Sequence, residues 1–174
     1  MSRKSIITIS FTFLIIGIIV GTIFGIFTDP YILNNYMQNT VYSFEGLISN
    51  SQFIVDSFLG YSLPITTMWL FGFTKFLYFN FFIISFKGIS LGFVSSNFIF
   101  NYGLSGLSYV FIIFLPQTLI LVFTYFFINI NVFKFRHKKS FIEYFISFVF
   151  CMAIIFLISM YEAFLLTFVL MSLS

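Results

Sequence analysis

The chain has 174 residues, 60% of them hydrophobic and 7% charged, with 31 phenylalanines and a net charge of +3. A soluble domain carries about 25% charged residues because its surface faces water, and 8 Lys+Arg with 5 Asp+Glu cannot clothe such a surface. The composition excludes a soluble enzyme, a nucleic-acid binder and a disordered tail, and leaves an all-α, polytopic integral membrane helical bundle.

A hydrocarbon core about 30 Å thick takes about 20 apolar residues of helix to cross. The first such run, residues 6–27, follows Arg3 and Lys4 and stops at Thr28-Asp29-Pro30. Its apolar part exceeds the ~7–15 residues of a secretory signal and no small-x-small cleavage site follows, so it reads as a retained signal-anchor helix. Gly17, Gly21 and Gly25 form a small-xxx-small stripe on one of its faces. Such a stripe lets two backbones approach closely, where van der Waals contact replaces the hydrophobic drive that lipid removes. Packing inside the bundle and an interface with a partner use the same physics.

Residues 28–60 form a connecting loop that carries Asp29, Glu45 and Asp56 but no Lys or Arg. Within it Val41, Phe44, Leu47, Ile48, Phe53, Ile54 and Phe58 recur at near-helical spacing, opposite Glu45, Asn50 and Asp56. An amphipathic helix at the membrane surface and a plain polar connector both fit that pattern.

Runs at residues 63–86, 88–102, 104–130 and 141–170 complete a set of five expected spans. Gly72 lies in the second, and Gly88 and Gly92 repeat the small-residue spacing in the third. Lys75 falls near the expected midplane of the second span, and Glu162 falls in the outer half of the fifth. Intramembrane ionisable residues are costly and tend to pair inside the bundle, which makes Lys75–Glu162 a candidate pair. Snorkelling of Lys75 to the surface is the alternative. Pro116-Gln117 sits in the middle of the fourth run, where a proline kinks the helix. Gln117 can then satisfy a freed carbonyl or reach across to Asn80 or Asn97.

The positive-inside rule orients the set. Arg3 and Lys4 should share the cytoplasmic side with the basic cluster Lys134, Arg136, His137, Lys138 and Lys139. That requires an even number of crossings between them, which the first four spans provide. Lys87 then falls at a cytoplasmic turn, the N-terminus is cytoplasmic, and the 28–60 loop and the C-terminus are extracytoplasmic.

The familiar catalytic constellations do not occur in the sequence. It has no HExxH, no Gly-rich phosphate loop and no pair of intramembrane aspartates. Ser95-Ser96-Asn97 lies in the third run, but an intramembrane serine nucleophile needs a base nearby, and the single histidine, His137, is in the basic cluster. A lone His and a lone Cys151 also leave too few donors for a zinc site. The chain is read as non-enzymatic, with no catalytic residue, cofactor or metal.

Across residues 69–121, Trp69 with Gly72, Lys87-Gly88 with Gly92-Phe93, Gly103 with Gly106, and Pro116-Gln117 follow one another on consecutive runs. In order and placement these landmarks resemble the stage II sporulation protein M family. The resemblance implies a five-span protein of the bacterial cytoplasmic membrane, without activity of its own. Its role would be to gather two peptidoglycan-degrading partners, stage II sporulation proteins D and P, at the mother-cell septal membrane during forespore engulfment. Association with membrane lipid and with further copies of the chain is compatible with it. The competing class is a small transporter or permease subunit built around Lys75, Gln117 and Glu162.

Overall fold

In the computed structural model, residues 2–28, 52–109, 115–138 and 140–173 are described. They form helices α1 (Arg3–Phe27), α2 (Gln52–Phe71), α3 (Phe79–Tyr109), α4 (Leu115–Lys138) and α5 (Phe141–Leu173), with no strand among the described residues. α1 starts at Ser2, whose extended backbone and side chain cap the first turn by accepting the Ser5 N–H at 3.2 Å. Along α1 the hydroxyls of Thr8, Thr12 and Thr22 fold back onto carbonyls one turn earlier. A polar side chain that bonds its own helix can face an apolar medium.

Among the described residues four stretches are long and apolar enough to cross a membrane: Arg3–Phe27, Phe79–Asn97, Pro116–Arg136 and Phe141–Phe164. The chain is a helical membrane protein. α2 is not among the four, because its 20 residues include Gln52, Asp56, Pro64 and several hydroxyls.

The run expected at residues 63–86 is not one helix. α2 begins within the expected 28–60 loop and ends at Phe71, and Gly72 to Tyr78 form a tight turn before α3. Gly72, Phe73 and Thr74 each donate to the carbonyl three residues back. The Thr74 hydroxyl donates to the Phe71 carbonyl at 3.1 Å and accepts the Phe76 N–H at 3.2 Å. One side chain thereby adds a second bond to the Phe71 carbonyl and satisfies the Phe76 N–H in the turn. Residues 29–51, including most of the suspected amphipathic segment, lie outside the described residues.

α3 runs through the expected boundary at Lys87, so Lys87 is inside a helix and not at a turn. At Gly103 the backbone takes φ 59 and ψ −138, a conformation open in practice only to glycine, and the helix bends there. The run expected at residues 104–130 falls partly in the end of α3 and partly in α4. Pro116 is the second residue of α4, where its missing N–H is not needed, so the kink expected in mid-span does not form. Among the described residues the interior proline is Pro64 of α2. Around it Ser62, Thr66 and Thr67 turn their hydroxyls onto the carbonyls of Leu59, Ser62 and Pro64.

Side-chain contacts fix how the helices run. Phe13 meets Phe81 near the start of α3, and Gly25 meets Ser96 further along it, so α1 and α3 are parallel. Trp69 stacks on Tyr144 while Tyr61 reaches Glu162, so α2 is antiparallel to α5. Phe135 stacks on Tyr144 and Phe127 meets Phe150, so α4 is antiparallel to α5 as well. The N-terminal ends of α1, α3 and α5 meet the C-terminal ends of α2 and α4. Between the helices Ile65, Met68, Ile128, Val132, Cys151 and Ile155 are completely covered.

Candidate functional site

α1 meets α3 through small residues. Ile6, Ser10, Leu14, Gly17, Gly21 and Gly25 form its buried stripe. A methyl group built on Gly17 would fall on the Ser85 carbonyl oxygen, and one on Gly21 on that of Ile89. From the other side, methyls on Gly88 and Gly92 would strike the carbonyls of Leu14 and Ile18. All of these glycines are used where the α1 and α3 backbones meet within the chain. Gly72 serves a different purpose, leaving room for the Tyr144 hydroxyl, which donates to the Trp69 carbonyl.

Arg3, Lys4, Lys75, Lys134 and Arg136 all belong to the end where α1, α3 and α5 begin, since Lys75 lies in the α2–α3 turn. Lys75 is exposed there. Glu162 lies near the far end of the Phe141–Phe164 span, so the suspected Lys75–Glu162 pair does not form. Lys134 and Glu143 bridge the α4–α5 hairpin at 3.2 Å, but with half or more of each side chain exposed the pair contributes little stability.

Glu162 has other neighbours. The Tyr61 hydroxyl of α2 donates to its Oε1 at 3.1 Å, and Gln117 Nε2 of α4 donates to the Tyr61 oxygen at 2.8 Å. Lys87 of α3 places Nζ 4.9 Å from the centre of the Tyr61 ring and interacts electrostatically with Glu162. Four helices thus contribute one polar side chain each. Glu162 Oε2 is buried without a hydrogen-bond partner in this cluster. The sequence singles out Gln117 and Glu162 but carries no signal for Tyr61, and Lys87, expected at a turn, lies inside α3.

A second polar cluster lies nearer the basic end. Asn129 Nδ2 donates to Ser10 Oγ at 2.9 Å, and Asn80 Nδ2 donates to Asn129 Oδ1 at 3.3 Å and to the Met68 carbonyl at 3.5 Å. Gln117 reaches neither Asn80 nor Asn97, the two partners expected for it; its amide goes to Tyr61. Ser10, Asn80 and Asn129 are no more than 1% exposed, and they join α1, α3 and α4 to the backbone of α2. Asn129→Leu should lower the unfolding midpoint of the detergent-solubilised protein by an amount equivalent to about 1–3 kcal/mol, because it leaves the Ser10 hydroxyl and an Asn80 donor without their partner. Asn131→Leu is the comparison, since the Asn131 amide bonds the Phe127 carbonyl of its own helix. Equal losses in the two variants would show that the interhelical bonds are not what holds this layer.

Comparison of the chain with family models, with curated proteins and with solved structures found no match in any of the three.

Proposed function

We propose that the chain is a non-enzymatic membrane scaffold, an anchor whose five helices alternate in direction, with its basic end in the cytoplasm and its C-terminus outside. The single observation that carries this reading is where the buried polar groups are spent. Ser10, Asn80 and Asn129 are fully covered and bonded to one another across helices, which fixes helix register and leaves them unavailable to a substrate. The outer surface is correspondingly rich in large apolar side chains such as Phe11, Phe24, Phe82 and Phe123, which suit lipid or the helices of partners. The likeness to stage II sporulation protein M suggests the partners: peptidoglycan hydrolases of the stage II sporulation D and P kinds, recruited to the septal membrane.

A second reading rests on Glu162, whose Oε2 has no hydrogen-bond partner beside Lys87 and Tyr61. A transporter or permease subunit would use such a carboxylate, with Lys87 rather than Lys75 as its cation. One pair of assays separates the two. The scaffold should co-purify with wall hydrolases from its own cells and carry no flux in liposomes. Substrate-dependent flux without hydrolase capture would reverse the assignment.

A further inference from the structure

The α2–α3 turn and the C-terminal part of α4 border an open groove of about 420 Å3, lined by Gly72, Phe73, Phe135 and Arg136. That volume falls in the range of about 300–1,000 Å3 typical of small-molecule sites. Its walls are aromatic, with Phe73 set edge-on to Phe135 at 5.3 Å between ring centres, and Gly72 supplies a stretch of wall with no side chain. Its rim is cationic. Arg136 is exposed, and Lys75 lies on the turn that carries Phe73.

The charge balance at this end is one-sided. Among the described residues its acid is Glu143, which is engaged by Lys134, while Asp56 and Glu162 lie toward the opposite end of the helices. Within that set Arg3, Lys4, Lys75 and Arg136 are left without an acidic partner of their own. An apolar channel beside a free guanidinium, at the level where a transmembrane helix leaves the bilayer, complements a molecule with an acyl chain and a phosphate. Arg suits the phosphate because its planar fork can donate two parallel hydrogen bonds, and basic pockets between membrane helices recognise anionic headgroups in this way.

We propose that this groove binds one anionic glycerophospholipid of the adjoining leaflet, with its phosphate on Arg136 and an acyl chain along Phe73 and Phe135. Free phosphate would lack the apolar half of the contact, and a zwitterionic lipid would present a second, repelled cation. The site does not depend on whether the protein is a scaffold or a transporter.

The test uses the full chain in zwitterionic detergent, with native mass spectrometry to read retained lipid and a thermal scan to read stability. Phosphatidylglycerol should be retained and should raise the unfolding midpoint, whereas phosphatidylcholine and inorganic phosphate should do neither. Arg136→Gln should weaken phosphatidylglycerol binding about tenfold, the size of a lost charge-assisted hydrogen bond, while its lipid-free midpoint stays that of the parent. Lys134→Gln should bind as the parent does. Arg136→Lys keeps the charge but loses the fork, and should fall between, so the comparison survives even if the glutamine variant folds poorly. Equal retention by Arg136→Gln and Lys134→Gln would mean diffuse charge attraction and would overturn the site. A midpoint raised equally by inorganic phosphate would overturn the lipid.

Discussion

Lys87→Met should destabilise the bundle, and Lys87→Met combined with Glu162→Gln should recover much of the loss. Lys87 lies over the Tyr61 ring and interacts with Glu162, and the Glu162 carboxylate already has one buried oxygen without a hydrogen bond. Removing the cation leaves that carboxylate buried beside the Tyr61 hydroxyl with no positive charge to balance it. The two charges make no direct ion pair, so the loss should stay below the cost of a broken buried pair, about 3–5 kcal/mol, and lower still where the remaining group takes up or sheds a proton. The double variant leaves neither charge alone, and a glutamine at position 162 can still accept from Tyr61. Lys75→Met is the control: on an exposed turn its effect should stay within about 0.5 kcal/mol. The measurement is the unfolding midpoint in detergent together with protein level in cells, for the parent, the singles and the double. Additive losses in the double variant would show that Lys87 and Glu162 are not coupled. In a transporter the double variant would keep its fold and lose flux, so the same set of proteins also bears on function.

The exchange of Lys75 for Lys87 traces to one boundary. Residues 63–86 are continuously apolar enough to read as one span, and hydropathy does not register a break made by Gly72 and a single threonine hydroxyl. Thr74 can cap the Phe71 carbonyl and the Phe76 N–H only once the turn exists, so nothing in its spacing announces it. Moving that boundary takes Lys75 out to the end of the bundle and puts Lys87 inside α3. The prolines exchange roles for a related reason. Position within an apolar run makes Pro116 look interior, whereas it is the second residue of α4. Tyr61 carries no signal, being an ordinary residue close to an expected loop until three other helices converge on its ring and hydroxyl. What is legible is whatever depends on composition or strict period: the membrane class, the helical content, and the glycine stripe of α1.

That stripe supports the other large expected effect. Gly21→Leu should abolish most of the folded protein, whereas Ile19→Leu, on the outward side of the same helix at 54% exposure, should be close to silent. A Cβ on Gly21 would overlie the Ile89 carbonyl oxygen and stand 2.7 Å from its carbon and 2.8 Å from its Cα. These are backbone atoms of a hydrogen-bonded helix, so no side-chain rotation relieves the contact. Ordinary overpacking costs about 1–3 kcal/mol because neighbours shift locally. Here α1 as a whole must move away from α3, and the neighbouring contacts at Gly17, Gly88 and Gly92 separate with it. The Ser10–Asn129 bond depends on the same approach of α1. Gly25→Ala is the graded member of the series: its obstacle is chiefly the Ser96 side chain, whose hydroxyl bonds the Phe93 carbonyl at 2.8 Å and can rotate away at the loss of that bond. The order of unfolding midpoints should therefore be Ile19→Leu, then Gly25→Ala, with Gly21→Leu lowest. A Gly21→Leu protein as stable as Ile19→Leu but unable to hold its partners would move the stripe from the inside of the bundle to an interface between proteins.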